Sequence, residues 1–176
     1  MMTTAVEYDV RPSRPSDLAE LPAIELAAAG MLVGFAPERV LLETTPMSDL
    51  EKAHRSGLLW VALADDRPVG FAHVKRLEPG SVHLDELDVH PDHARRGLGR
   101  RLVSGVCYWA AMNGVQAATL STFRDPPWNR PFYESLGFES VRDSDLTDAM
   151  SAVVADEVRR GLDPLKRVVM RRQLGR

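Results

Sequence analysis

Residues 87–101 read Leu87-Asp88-Val89-His90-Pro91-Asp92-His93-Ala94-Arg95-Arg96-Gly97-Leu98-Gly99-Arg100-Arg101. An apolar strand end passes through a His-Pro turn into two glycines set among four arginines, and an amphipathic helix opens at once. A helix start leaves its first N–H groups without intrahelical acceptors and carries the positive end of the helix dipole, so it attracts anions. Gly97 and Gly99 have no Cβ, which lets a bulky phosphate reach the main chain. Arg95, Arg96, Arg100 and Arg101 add charge around it. A Gly-x-Gly pair alone would read as an ordinary turn with a solvated basic face. The strand before it and the helix after it turn the reading to a phosphate cradle.

The helix is well marked. Leu98, Leu102, Val103, Val106, Trp109 and Ala110 recur at helical spacing until Asn113-Gly114 stops them. The strand before the cradle breaks its own pattern: Val82 and Leu84 stand on one parity, Leu87 and Val89 on the other. A β-bulge at Asp85-Glu86 restores one apolar face. Adjacent carboxylates at such a place, with His83 just upstream, admit two readings, a working site or a half-exposed strand whose acids meet water.

A chain of 176 residues, 44 % of them hydrophobic, with a formal charge of −3, suits one soluble domain. Lys and Arg (22) do not exceed Asp and Glu (25), so no nucleic-acid footprint is present. The basic residues near the end, Arg159, Arg160, Lys166, Arg167, Arg171 and Arg172, read as solvated surface. The lone Cys107 excludes an intrachain disulfide and reads as a small core residue. The start has no basic, apolar leader, and the most apolar stretch, 26–36, is too short to cross a bilayer. The expectation is a cytoplasmic protein without membrane contact.

Along the chain, 6–11 reads as a first strand, and Ser16-Asp17 offers an N-cap for a helix through Leu21, Ile24, Leu26 and Ala28. Residues 30–46 form an apolar loop suited to lining a pocket. Ser48 is the expected cap of a short helix ending at Gly57. Residues 58–64 and 69–77 form a hairpin through Asp65-Asp66-Arg67-Pro68, and the strand at Val82 follows. A fifth strand at 117–122, a short helix at 131–136 and a strand at 138–142 come after the long helix. Leu146, Met150, Val153, Val154, Val158 and Leu162 make a helical stripe over about 145–161, with Gly161 as its stop. Arg167 to Met170 is the closing strand. The stripe can cover a sheet edge, wall a site or serve a homodimer contact, and the sequence does not separate these.

The run Leu87-x-Val89-x-Pro91 before Arg95-Arg96-Gly97-Leu98-Gly99-Arg100, with Phe132-Tyr133-Glu134-Ser135-Leu136-Gly137-Phe138 some thirty residues on, resembles the GNAT superfamily of acyl-CoA-dependent N-acyltransferases. The likeness spans roughly residues 5–142 in element order, inside a domain expected to cover 1–176. It implies an α+β fold with a mixed, mostly antiparallel sheet splayed between strands 4 and 5, flanked by helices, with the pantetheine arm of acetyl-CoA in the gap. It also implies that the Leu87 N–H points at the acetyl carbonyl, that Val89 pairs with pantetheine, and that residues 95–100 hold the pyrophosphate. Two positions depart from the pattern. Ala94 stands where Arg or Gln is usual, and Pro126 where Asn is frequent, so Asn129 becomes the candidate for that cofactor contact.

Acyl transfer to an amine needs an unprotonated nucleophile, a donor for the developing oxyanion and a proton for the departing thiolate. The resemblance makes Tyr133 that acid. For the base it offers Asp85 and Glu86 jointly, with His83 third. Asp85, Glu86 and Glu25 would attract a cationic acceptor, and Met31 and Phe35 on the apolar loop are further substrate candidates. The expected reaction is direct attack of an amine on acetyl-CoA in a ternary complex. The acceptor is a small primary amine, or else a peptide or protein amine. A CoA-binding regulatory module without turnover is the reading from another class. His90 and His93 lack a third ligand in sequence, so no metal is expected.

Overall fold

The computed structural model describes residues 6–175. Residues 1–5, which bear on the expected lack of a leader, lie outside them. The element order is β1 (Tyr8–Pro12), α1 (Leu21–Ala29), α2 (Glu38–Leu41), α3 (Met47–Arg55), β2 (Leu59–Ala64), β3 (Arg67–Lys75), β4 (Ser81–Val89), α4 (Leu98–Met112), β5 (Ala117–Phe123), α5 (Asn129–Glu134), β6 (Glu139–Ser140), α6 (Asp148–Arg159) and β7 (Arg167–Gln173). The strands form one sheet in the order β1-β2-β3-β4-β5-β7-β6. All neighbours are antiparallel except β4 and β5. Those two need a crossover, which α4 supplies.

The expected bulge is present. His73 of β3 pairs with Glu86 and Val74 with Leu84, so Asp85 is the extra residue on β4. Val82, Leu84, Leu87 and Val89 then meet one apolar cluster. Strand alternation sends His83, Glu86 and Asp88 to the opposite face. Parallel pairing of β4 with β5 runs from Ser81↔Ala117 to Leu84↔Leu120 and stops. Beyond those residues the two strands part, and the facing main-chain groups of β4 have no ladder partner.

Leu98, Leu102, Val103, Val106, Cys107 and Ala110 are the buried side of α4, which packs against β1 to β4. α1 packs on β3 and β4, and α3 on β2 and β3. The β2–β3 hairpin turns through Asp65 and Asp66, both at positive φ (48° and 65°). That is the conformation a two-residue hairpin with the native strand twist requires. Pro22 is tolerated because a 3-10 turn over Pro15–Glu20 precedes α1 and leaves Pro22 in the first helical turn.

Four local expectations need correction. Ser48 is not a cap, because α3 begins at Met47 after Pro46. The strand read over 138–142 shortens to Glu139–Ser140. The tail stripe errs at one position: Val158 is exposed, and the charged Glu157, on the Met150 side of α6, is buried instead. Glu157 turns inward because it meets Arg167, at 2.6 Å, and the Ser121 hydroxyl, at 3.0 Å. Arg167 is therefore not solvated surface; it also lies over the Phe123 ring, 4.3 Å from its centroid. This buried pair fastens α6 to β7 and β5. Arg167→Met should lower the unfolding free energy in urea by about 3–5 kcal/mol by stranding the Glu157 carboxylate, and Arg167→Met/Glu157→Met should recover most of it.

Candidate active site

Where β4 and β5 part, a cavity of about 490 Å³ opens. Its lining includes residues 83–88 of β4, residues 120–123 of β5, Asn129 and Tyr133 of α5, and Val153, Asp156 and Glu157 of α6. Leu32 and Val40 of the apolar loop reach it, along with Arg160 and Arg167. The tail helix therefore walls the site. Met31 and Phe35 are not on this wall. Met31 is 46 % exposed, and Phe35 packs edge-on against Trp128 at 5.6 Å.

Three carboxylates gather on the β4 side. Glu25, Glu86 and Asp88 each bring an oxygen within 4.8 Å of the others, the spacing of acceptors around a bound cation. Glu25 comes from α1 and is oriented by Thr45, whose N–H and hydroxyl donate to it at 2.8 to 3.1 Å. Burial, reinforced by the Glu25 and Asp85 charges, pushes the Glu86 carboxyl up to about 8. Burial and the charges of Glu86 and Glu25 raise Asp88 as well. Burial outweighs the Thr45 hydrogen bonds to lift Glu25.

Asp85 has a different environment from its neighbour Glu86. Its carboxylate lies 2.7 Å from Lys75 Nζ and 3.3 Å from His73 Nδ1. Burial works to raise it, but the imidazole and ammonium outweigh burial and hold it below the usual carboxylate range. A carboxylate so stabilised is a poor base. His83 is buried with Nδ1 bonded to Thr119 Oγ1 at 2.9 Å, and burial lowers its pKa, so it stays neutral. Tyr133 is buried at the cavity, and its hydroxyl makes no hydrogen bond among the described residues. Burial and the nearby Glu86 and Asp88 charges raise its pKa, keeping the phenol protonated.

At the other end of β4, Gly97 caps α4 at φ 77°, and Arg95 also has positive φ, 58°. The Arg101 N–H donates to Gly97 O, leaving the amides of Leu98, Gly99 and Arg100 without acceptors in their helix. A Cβ on Gly97 would meet nothing within 4 Å, so that side of the turn is open. The arginines divide their tasks. Arg96 lies over the Tyr8 ring, Arg100 Nη2 donates to Ser135 Oγ at 2.7 Å, and Arg101 donates to Tyr8 O at 2.9 Å. Arg95 forms no hydrogen bond or ion pair among the described residues, so it remains available to an anion. His93 is bonded to the Tyr8 hydroxyl at 3.1 Å. Asn129 donates to Thr122 Oγ1 and Phe123 O, bracing the end of β5.

A family model for an acetyltransferase (GNAT) domain matches residues 55–140, which hold the bulged strand, the cradle and Tyr133. The chain carries a GNAT acetyltransferase domain. Mouse (Mus musculus) N-acetyltransferase family 8 member 3 is 27 % identical over 111 residues, 58 % of this chain and 49 % of that protein. The chain thus spans about half the length of the curated relatives it matches. A GNAT-family acetyltransferase structure from Staphylococcus aureus Mu50 superposes with a TM-score of 0.72 at 17 % identity, covering 96 % of this chain and 100 % of the other. PaiA N-acetyltransferase from Thermoplasma acidophilum, solved in complex with coenzyme A, gives 0.69 at 16 % identity, covering 95 % and 99 %. These likenesses show the GNAT fold.

Sequence reading did not include Asp88 or Arg167 in the site. Asp88 was within reach, since alternation after a bulge at residue 85 puts it beside Glu86. The three acids also set a stability dependence. Unfolded, Glu86 loses its proton near its ordinary pKa; folded, it keeps it until about pH 8, so stability falls as pH rises between those values. The melting temperature of Glu86→Gln should exceed that of the wild type by a margin that widens from about pH 5 to about pH 8 and then levels.

Proposed function

We propose that this GNAT domain transfers the acetyl group of acetyl-CoA directly to the primary amine of a small molecule. The carrying observation is the cavity at the β4–β5 splay, which brings Glu86, Tyr133 and an unpaired strand edge together. The pantetheine arm lies against β4 through Val89, and the Leu87 N–H donates to the thioester carbonyl. The pyrophosphate rests on the amides of residues 97–100, with Arg95 and Arg96 alongside and Arg100 held by Ser135. The open main-chain cradle supports binding despite Ala94 and Pro126.

Glu86 is the base in this reading. In support of Glu86 over its neighbours, Lys75 neutralises Asp85, and His83 is tied to Thr119. The acceptor arrives as an ammonium and gives its proton to ionised Glu86. Its nitrogen then attacks the thioester carbon, and the oxyanion is held at the Leu87 amide until the C–S bond breaks. Tyr133 donates its phenol proton to the departing sulfur and is restored by the second proton that the acylated nitrogen sheds, while Glu86 later returns the first to solvent. The raised pKa of Tyr133 comes partly from Glu86 and Asp88, so a proton on Glu86 makes Tyr133 a better donor when the thiolate leaves.

A small acceptor fits the half-open cavity of about 490 Å³, with α6 across one side. A peptide or protein amine would need α6 or the loop at 30–46 to move aside. We place the protein in the cytoplasm, and among the described residues no helix is long and apolar enough to cross a membrane.

The test follows thiol release from acetyl-CoA with panels of small amines and short peptides. Tyr133→Phe and Glu86→Gln should each lower kcat by about 10²–10⁴-fold with coenzyme A binding kept. Asp85→Asn should cost far less. In the wild type, kcat/KM for the amine should rise with pH through about 8 and level off, because the base works deprotonated. Tight coenzyme A binding with no acceptor-dependent release would favour the regulatory module.

A further inference from the structure

The cations of the cavity wall are all engaged. Lys75 pairs with Asp85 at 2.7 Å, Arg160 with Glu43 at 2.8 Å and Arg167 with Glu157 at 2.6 Å. Glu25, Glu86 and Asp88 form no ion pair with any side chain among the described residues. Asp88 is 9 % exposed, and its Oδ2 accepts no hydrogen bond. A buried carboxylate oxygen without a donor costs free energy in the empty protein, and an arriving donor recovers it.

These acceptors stand close enough together for one cation with several donors to reach all three. Three N–H bonds at a tetrahedral nitrogen, each about 2.9 Å from its acceptor, place the acceptor oxygens about 4.7 Å apart. One oxygen from each of the three carboxylates lies no more than 4.8 Å from the others, within reach of a single such nitrogen. They come from two elements, α1 for Glu25 and β4 for the other two, and Thr45 holds Glu25 in place from the loop after α2. Leu32, Val40 and Val153 supply an apolar wall in the same cavity.

We propose that Glu25, Glu86 and Asp88 form a socket for a primary alkylammonium, one carboxylate to each N–H, with Asp88 and Glu25 setting specificity against N-methylated amines. The proposal rests on the acetyltransferase reading for the fate of the bound amine, and the socket itself is a matter of binding alone. Secondary and tertiary amines lose one and two donors respectively, leaving a buried carboxylate oxygen unmet each time. The apolar wall selects an aliphatic body next to the charged head. Glu86 receives the proton, while Asp88 and Glu25 position the nitrogen.

Calorimetric titration of the full chain with hexylamine, N-methylhexylamine and N,N-dimethylhexylamine, without acetyl-CoA, tests this. Hexylamine should bind tightest, and each methyl group should weaken binding roughly tenfold. In Glu25→Gln/Asp88→Asn, hexylamine should bind more weakly and the three amines should converge. Equal binding of the three to the wild type, or the same ordering in the double variant, would overturn the socket. So would magnesium chloride binding more tightly than hexylamine and losing its site in the double variant, which would make it a metal site. Should the double variant not fold, the order in the wild type decides. Ordered amine binding without thiol release would keep the socket and remove the enzyme, and thiol release with equal binding would do the reverse.

Discussion

Parallel pairing between β4 and β5 ends at Leu84 and Leu120, and almost every functional feature of the molecule follows from that one interruption. A strand edge left unpaired inside a protein has main-chain donors and acceptors to satisfy. Here the edge faces a cavity, so a ligand with its own amide groups can take the place of a strand. The bulge at Asp85 is placed one residue past the last paired position. It diverts Asp85 to Lys75 and His73 and brings Glu86 and Asp88 onto the face that α1 covers. A regular β4 would carry the same residues but would put Glu86 on the face occupied by Leu84.

The electrostatics of the cavity are unequal by construction. Its basic side chains are neutralised within the wall, two of them by pairs that fasten α6 and the loop after α2 to the body of the domain. Arg160 meets Glu43, and its carbonyl accepts from Arg39; Arg167 meets Glu157. Glu25, Glu86 and Asp88 have no such partners among the described residues, and burial, joined by neighbouring carboxylate charges, drives them to hold protons that ordinary carboxyls would release. The same residues thus weaken the fold at alkaline pH and supply the base at the pH where an amine is easier to deprotonate. Placing the cost and the use of these charges in one locus is what separates Glu86 from Asp85, though they are neighbours in the chain.

Much of this was legible in the sequence because it is written in local periodicity. The change of parity between Leu84 and Leu87 announced the bulge, and the run from Leu98 to Ala110 announced the helix that bridges the parallel strands. What stayed hidden depends on contacts distant in sequence. Nothing near Glu157 shows that it turns inward, because its reason is Arg167 on the next strand and Ser121 on β5. Arg167 was read among surface charges for the same cause. Glu25 was picked out as an acid, but its partnership with residues 86 and 88 needs the packing of α1 on β4. Met31 and Phe35 were chosen as apolar loop residues, and the fold gave the lining to Leu32 and Val40 instead, since a single side-chain turn in an irregular segment has no period to read.

The two departures from the family pattern fall where main-chain geometry can carry the work. At position 94 a side chain is lost from the cradle, yet the αL cap at Gly97 and the free amides of α4 do not depend on it. Arg95 is kept at positive φ with no hydrogen-bond or ion-pair partner among the described residues. A non-glycine residue in that region is strained, and such strain persists where the surrounding structure holds it for use. At position 126 a proline replaces an amide, and Asn129, one element later, spends its own amide on Thr122 and Phe123. Asn129 therefore fixes the end of β5 and the start of α5 relative to each other, which sets where Tyr133 stands in the cavity. In the proposed mechanism that helix would act on the cofactor through the position of its tyrosine, with the grip on the diphosphate left to the backbone at the start of α4.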